Sequence, residues 1–375
     1  MNILVRFKLS IFGLFLVMGV SFEAGAALRI VNYNTARGVR SGFTTVMEYI
    51  GTVNHNGIIR PVDILLLQEQ DQTTLRDIRD ALNALYDTND YHYLSLVGDT
   101  TGAGLPGAVY NTRTVNSLES PVIVNTTSSY GAARSTIRYH FRPVGYSAAD
   151  ASFYIYNSHF KASSDGDDRR AVEASEIRTD ADSLGDAHII YAGDLNLYSS
   201  GEQAWQNLTA MGNGRAFDPI NRVGSWSNSY SYTDVHTQSP ATSAHFPGQI
   251  LAGMDDRFDF QLITDEFRDQ EGLSYIGGTY YTVGNNNTHN MNQSITTGSD
   301  ATVAVRNALE AASDHLPVMA DYQVPAVMQV DVDPLPEEVE IGGYYPLTVS
   351  IVNSAPADVT ADADELDYTI SVSGD

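Results

Sequence analysis

The chain has 375 residues, 43% of them hydrophobic, a formal net charge of −25 and no cysteine. That length admits one large domain or two ordinary ones with a sizeable core. The charge excludes steering toward nucleic acid or anionic lipid by the protein's own field, so phosphate handling would need metal cations, and the lack of cysteine excludes disulfides.

The first stretch, residues 1–26, carries Arg6 and Lys8, an apolar run from Leu9 to Val20 and a small-residue end at Ala24-Gly25-Ala26. This is the layout of a secretory signal peptide, so a secreted, extracellular or periplasmic location is expected. The run is shorter than the roughly 20 residues of a membrane span, and no stable span is expected elsewhere.

LRIVNYN then reads as a strand by its alternation, and TTVMEYIGTV as a helix by its spacing. VDILLLQEQ is a continuous apolar run, as in a strand buried on both faces. TLRDIRDALNALY puts Leu75, Ile78, Leu82 and Leu85 on one helical stripe. GAVYNT, STIRYHFRPV and FYIYNSHFKA are strand-like, the last ending in polar residues. DDRRAVEASEIRTDADSLG is a helix, acidic at its start and closed by Gly185, and AHIIYAGDLN follows as a strand. From Leu197 to Arg257 the Ser-, Tyr-, Asn- and Gly-rich composition predicts long surface loops. DDRFDFQLIT is another strand, and Tyr275 to Asp300 a second long loop. TVAVRNALEAASDHLPVMADYQV predicts a helix, a turn and a closing strand.

Composition shifts after Val324: residues 325–375 contain eleven acidic residues and no Lys or Arg. The expected division is a signal peptide at 1–26, a main domain at 27–323, and at 324–375 a strand-rich acidic tail or an incomplete immunoglobulin-like module, a partial β-sandwich.

In YAGDLNLY, Asp194 and Asn196 share a face if the extended geometry persists. Such a pair can hold a divalent cation with one oxygen and a phosphate or water with the other. Similar polar groups end other apolar strands: Asn34 in NYNTARG, Glu69 in LLLQEQ, His159 in NSHFKA, Asp259 in RFDFQLI, and Asp314 with His315 in SDHLPV. Packing alone does not explain so many polar groups beside core strands, because burying each carries a desolvation cost.

The order and wording of these motifs resemble the endonuclease/exonuclease/phosphatase superfamily, the fold of deoxyribonuclease I and neutral sphingomyelinases, over roughly residues 28–323. The resemblance implies an α/β fold: a four-layer sandwich of two mixed β-sheets with outer helices. It implies metal binding by Glu69, Asn34 and Asp314. It implies that Asp194 and Asn196 position the nucleophile, with Asn196 also contacting phosphate, and that His315 activates water or contacts the phosphate, oriented by Asp259. His159 corresponds to a second active-site histidine. Arg134 corresponds to the phosphate-contacting arginine, with Arg138 as its close competitor.

Phosphodiester hydrolysis needs an activated water and cation stabilisation of a crowded anionic transition state. A carboxylate-oriented histidine suits the first need, and Mg²⁺ (or Ca²⁺ or Mn²⁺) on carboxylate and amide oxygens the second. The expected function is a secreted metal-dependent phosphodiesterase, foremost a nuclease acting on nucleic acid. A sphingomyelinase-type lipid phosphodiesterase is the alternative, and YIGGTYYTVGNNN lacks the Phe/Trp/Leu cluster that its membrane hairpin would need. A non-catalytic surface module that kept the fold is a further alternative.

Overall fold

The computed structural model describes residues 27–269 and 272–325, and the backbone of 328–332 and 349–353. The expected signal peptide and most of the acidic tail lie outside the described residues.

Two mixed sheets form the centre. The first contains β1 (Ala27–Asn34), β2 (Ile64–Gln70), β3 (Tyr91–Tyr93), β4 (Leu105–Asn111), β11 (Ser274–Tyr275), β12 (Tyr281–Thr282) and β13 (Val318–Gln323). The second contains β5 (Val115–Ser117), β6 (Val122–Ile123), β7 (Ile137–Pro143), β8 (Phe153–His159), β9 (Ile189–Asp194) and β10 (Asp259–Ile263). Strand order is β11-β13-β1-β2-β4-β3 in one, with β12 beside β13, and β10-β9-β8-β7-β5 in the other, with β6 beside β7. One parallel pair runs in each sheet, β1 with β2 and β8 with β9. β14 (Met328–Val332) and β15 (Val349–Asn353) form a separate antiparallel pair.

Period-two alternation builds the layers. Leu28, Ile30, Ile64 and Leu66 point inward against Phe153, Ile155, Ile190 and Ala192 of the other sheet. Val31, Tyr33, Leu65 and Leu67 point outward beneath α1 (Phe43–Thr52), α2 (Gln72–Leu85) and α5 (Val303–Ala312). Tyr156, Ile189, Tyr191, Phe260 and Leu262 point outward beneath α3 (Asp167–Ser183) and α4 (Gln203–Thr209). The result is the expected four-layer arrangement. Each fully buried Leu, Ile or Phe contributes roughly 1.5–3 kcal/mol, so these three apolar layers dominate stability.

A polar layer crosses the inter-sheet core. Gln68 Nε2 donates to Asn32 Oδ1 and to Asn157 Oδ1, both at 2.7 Å. Asn157 Nδ2 donates to Leu67 and Gly107 carbonyls, and Gln261 Nε2 to those of Ile30 and Val318.

Two expectations need correction. The Leu197–Arg257 stretch is not only surface loop: it contributes α4 and buries Trp205 and Trp226 against Phe260, with the two indoles edge to face at 5.0 Å. The Tyr275–Asp300 stretch is not all loop either, since Tyr275 and the short strand β12 both pair with β13.

Candidate active site

The same alternation explains why polar strand ends meet. On β1, Asn34 has the parity of Ile30, and on β8 His159 has the parity of Ile155. On β9 and β10, Asp194 and Asp259 have the parity of Ala192 and Ile263. All four face between the sheets. Register aligns their ends, with His159 opposite Asp194 and Asp194 opposite Asp259.

Glu69 breaks the rule. Its parity matches Leu65 and Leu67, which face the helices. A register shift between Leu67 and Gln70 and a φ of 65° at Glu69 interrupt the alternation there. Bulges re-aim side chains in this way. Gly104 (φ 69°) makes room: a Cβ there would lie 2.4 Å from the Glu69 carbonyl carbon. Asp71 then caps α2, accepting from the Thr73 and Thr74 amides at 2.8 and 2.9 Å, so the strand gives way to the helix just beyond Glu69.

Asp194 Oδ2 is the hub. It lies 3.1 Å from Asn34 Nδ2, 3.3 Å from His159 Nε2 and 3.6 Å from His315 Nε2. His315 Nδ1 lies 2.8 Å from Asp259 Oδ2. Arg257 is spent elsewhere, paired with Asp218 at 2.8 Å. Asn34 Nδ2 also reaches Glu69 Oε1 at 3.4 Å, while Asp314 Oδ2 accepts from the Ile250 amide at 3.1 Å.

Asn196 departs from the expected shared face. β9 ends at Asp194, and Asn196 has a φ of 50°. Its Nδ2 donates to the Phe160 carbonyl at 3.3 Å, which Arg134 Nη1 also reaches at 3.0 Å. Asn196 is therefore drawn to Arg134 by a shared acceptor rather than by strand parity. Arg138 is held away, on Asp180 at 2.6 Å.

The electrostatics separate the two histidines. Burial opposes charge on His315, but Asp259 and Asp194 outweigh it and hold its pKa well above the ordinary histidine value. Burial, then Arg134 and His315, hold His159 well below that value, and its Nδ1 has no hydrogen-bond partner among the described residues. In its charged form the His315 ring donates from both nitrogens, as contact with a phosphate oxygen needs, and it takes a proton from water only after losing one. Burial pushes the Asp194 carboxyl up to about 7, with Asp259 adding and His315 opposing. Burial also raises Glu69, and Asp314 adds to it.

No cluster of three or more His, Asp or Glu side chains able to hold a metal is found among the described residues. Glu69 with Asn34 is still an oxygen donor set for a hard cation that keeps most of its waters. The raised Glu69 carboxyl, only 24% exposed in its side chain, fits such a cation. Asn34 Oδ1 accepts from the Ala36 amide at 3.0 Å, so its oxygen reaches a cation only if the amide turns over.

Two groups near the site gave no signal in the sequence. The Gln238 side-chain amide stands 2.7 Å from His315 Nε2, in a stretch without periodicity, and with the ring charged it is the amide oxygen that faces this N–H. Arg37 Nε is 4.0 Å from Glu69 Oε2, with its side chain 54% exposed.

A two-sheet α/β sandwich with a carboxylate–histidine cluster at one end of the inter-sheet cleft defines the class of fold. No protein-family model and no curated protein matches the chain. Among solved structures, it is similar to an endonuclease/exonuclease/phosphatase family protein from Bacteroides thetaiotaomicron, at 15% identity, 80% of this chain, 99% of that chain and a TM-score of 0.49. It is similar to a humanized D. rerio TDP2 at 15% identity, 80% and 99% coverage and a TM-score of 0.48. It is also similar to the human Nocturnin catalytic domain with bound sulfate, at 12% identity, 81% and 97% coverage and a TM-score of 0.45. At such identities, residue roles have to be argued from the site itself.

Proposed function

We propose that this chain is a secreted phosphodiester hydrolase of the endonuclease/exonuclease/phosphatase type, dependent on a divalent cation such as Mg²⁺ and acting on nucleic acid. The observation that carries the reading is the line Asp259–His315–Asp194, at 2.8 and 3.6 Å, with His159 on the same Asp194 oxygen at 3.3 Å.

In this reading the water oxygen bonds to phosphorus as the bond to the leaving oxygen breaks, the charged His315 donates its Nε2–H to a phosphoryl oxygen, where negative charge grows in the transition state, and solvent protonates the departing oxygen. Arg134 adds a second cation. Asp194, with its carboxyl near 7, takes the proton of the attacking water. His159 holds that carboxylate in place through Oδ2. Glu69 and Asn34 would hold the cation, which when bound neutralises phosphate charge. The half-exposed Arg37 beside Glu69 suits a further phosphate, as a polymer would offer. The apolar run after Arg6 and Lys8 supports export.

The test is incubation of the purified protein with DNA, RNA and sphingomyelin vesicles, each with Mg²⁺, Ca²⁺, Mn²⁺ or a chelator. Cation-dependent cleavage of DNA or RNA is expected. Cleavage of sphingomyelin alone would replace the substrate, and no hydrolysis under any condition would remove the reading. The mass of the exported protein reads cleavage after Ala26.

A further inference from the structure

Helix α3 laces together the three loops that adjoin Arg134, His159 and Asn196. Glu173, only 1% exposed, sits in its second turn. Its Oε1 accepts from the Ala133 amide at 2.7 Å, and its Oε2 from the Lys161 amide at 2.8 Å. Ala133 immediately precedes Arg134, and Lys161 follows His159 by two residues.

Neighbouring arginines of α3 hold the same loops. Arg170 donates to the Lys161 and Ser163 carbonyls at 2.9 and 2.8 Å and pairs with Glu202 at 2.7 Å. The other Glu202 oxygen accepts from the Tyr198 amide at 2.8 Å, just beyond Asn196. Arg169 donates to the Gly131 and Ser128 carbonyls at 2.7 and 2.8 Å, on the loop that leads to Arg134.

Among the described residues of α3, only Glu173 serves two amide N–H groups from different loops at once. That requires two acceptor oxygens. A glutamine or a protonated carboxyl serves one N–H and turns a donor toward the other. Burial pushes the Glu173 carboxyl up to about 7, while the Ala133 and Lys161 amides, then Arg134 and Arg169, favour its charge. A buried carboxylate is costly to keep, and an apolar side chain would fill a helix-packing position at less cost.

We propose that Glu173 is a positioning residue for phosphoester hydrolysis. By clamping the Ala133 and Lys161 amides it fixes the separation between Arg134 and the His159–Asp194 pair, and it touches no substrate. This rests on the phosphodiesterase reading above.

The experiment compares the full-length wild type with Glu173→Gln and Glu173→Asp. The readouts are kcat and KM for bis(p-nitrophenyl) phosphate with Mn²⁺, and amide hydrogen exchange at Ala133 and Lys161. Glu173→Gln is expected to lower kcat roughly 10- to 100-fold, the scale of a misplacement near 1 Å, with KM little changed and exchange faster at the two amides. Glu173→Asp keeps both acceptors on a shorter stem, so it should fold if the glutamine variant does not, and also lose kcat. A folded variant of either kind with wild-type kcat overturns the proposal, as does unchanged exchange at both amides in Glu173→Gln. A wild type that cleaves no phosphodiester removes the underlying reading instead, and the exchange data still report on the clamp.

Discussion

His315 Nδ1 lies 2.8 Å from Asp259 Oδ2, and Asp259 is wholly buried with its other oxygen unpartnered among the described residues. The carboxylate's main local task is therefore the imidazole. Asp259→Asn keeps the shape and removes the charge. We expect kcat to fall by roughly 10²–10⁴-fold, the range of a lost acid–base partner, with the fold retained. Steady-state kinetics and circular dichroism check this. Wild-type kcat in a folded variant would dissociate Asp259 from catalysis.

Glu69→Gln is expected to abolish most turnover and to weaken cation binding. Thermal melting separates the two effects: Mg²⁺ or Mn²⁺ should raise the wild-type melting temperature, by mass action, and leave that of the variant nearly unmoved. Equal cation-induced shifts in both proteins would assign the cation to other ligands.

Gly104→Ala tests the bulge rather than the carboxylate. The added Cβ meets the Glu69 backbone at 2.4 Å, and the φ of 69° is strained for alanine. We expect a stability loss of about 1–3 kcal/mol, the usual scale of such strain, and a larger loss of activity than of stability. Denaturant titration beside a kinetic assay measures both.

The strand ends are legible because each apolar run is bounded by a polar residue of inward parity, closing the strand at Asn34, His159 and Asp194 and opening it at Asp259. Glu69 was legible as a residue but not as a geometry, since no alternation rule announces a bulge. By sequence alone Asn196 extends β9, whereas its left-handed backbone ends that strand's logic. Gln238 and Trp226 lie in a stretch with neither period two nor period 3.6, and only tertiary contact gives them a role. Glu173 reads in sequence like any solvent-facing helix acid, because its partners are backbone amides of distant loops.

The pH dependence of stability follows from that same residue. Its folded carboxyl titrates near 7 against the ordinary glutamate value of 4.5. Between these values the folded state binds more protons than the unfolded chain, so stability falls as pH rises. The contribution is fully present below about 4.5 and gone above about 7, and spans on the order of 3 kcal/mol. Glu173→Gln should flatten the stability profile across pH 5–7 in denaturant titrations. An unchanged slope would assign it to other carboxyls, such as Asp255.

Removing the acidic tail should leave hydrolysis intact. The cut belongs after Pro325, because Val324 is fully buried in the inter-sheet core and the Tyr146 hydroxyl donates to the Pro325 carbonyl. We expect activity within a few-fold of the full chain. A soluble, folded but inactive product would give the tail a catalytic role.

The amide layer of Asn32, Gln68, Asn157 and Gln261 bears on how the molecule comes apart. Drawing one sheet off the other without admitting water would orphan these groups together, at about 1–3 kcal/mol each. Half-open states are thus penalised more heavily than the apolar contacts alone would require. The two sheets should melt as one cooperative unit, and the cleft between them should keep its width until the whole sandwich gives way.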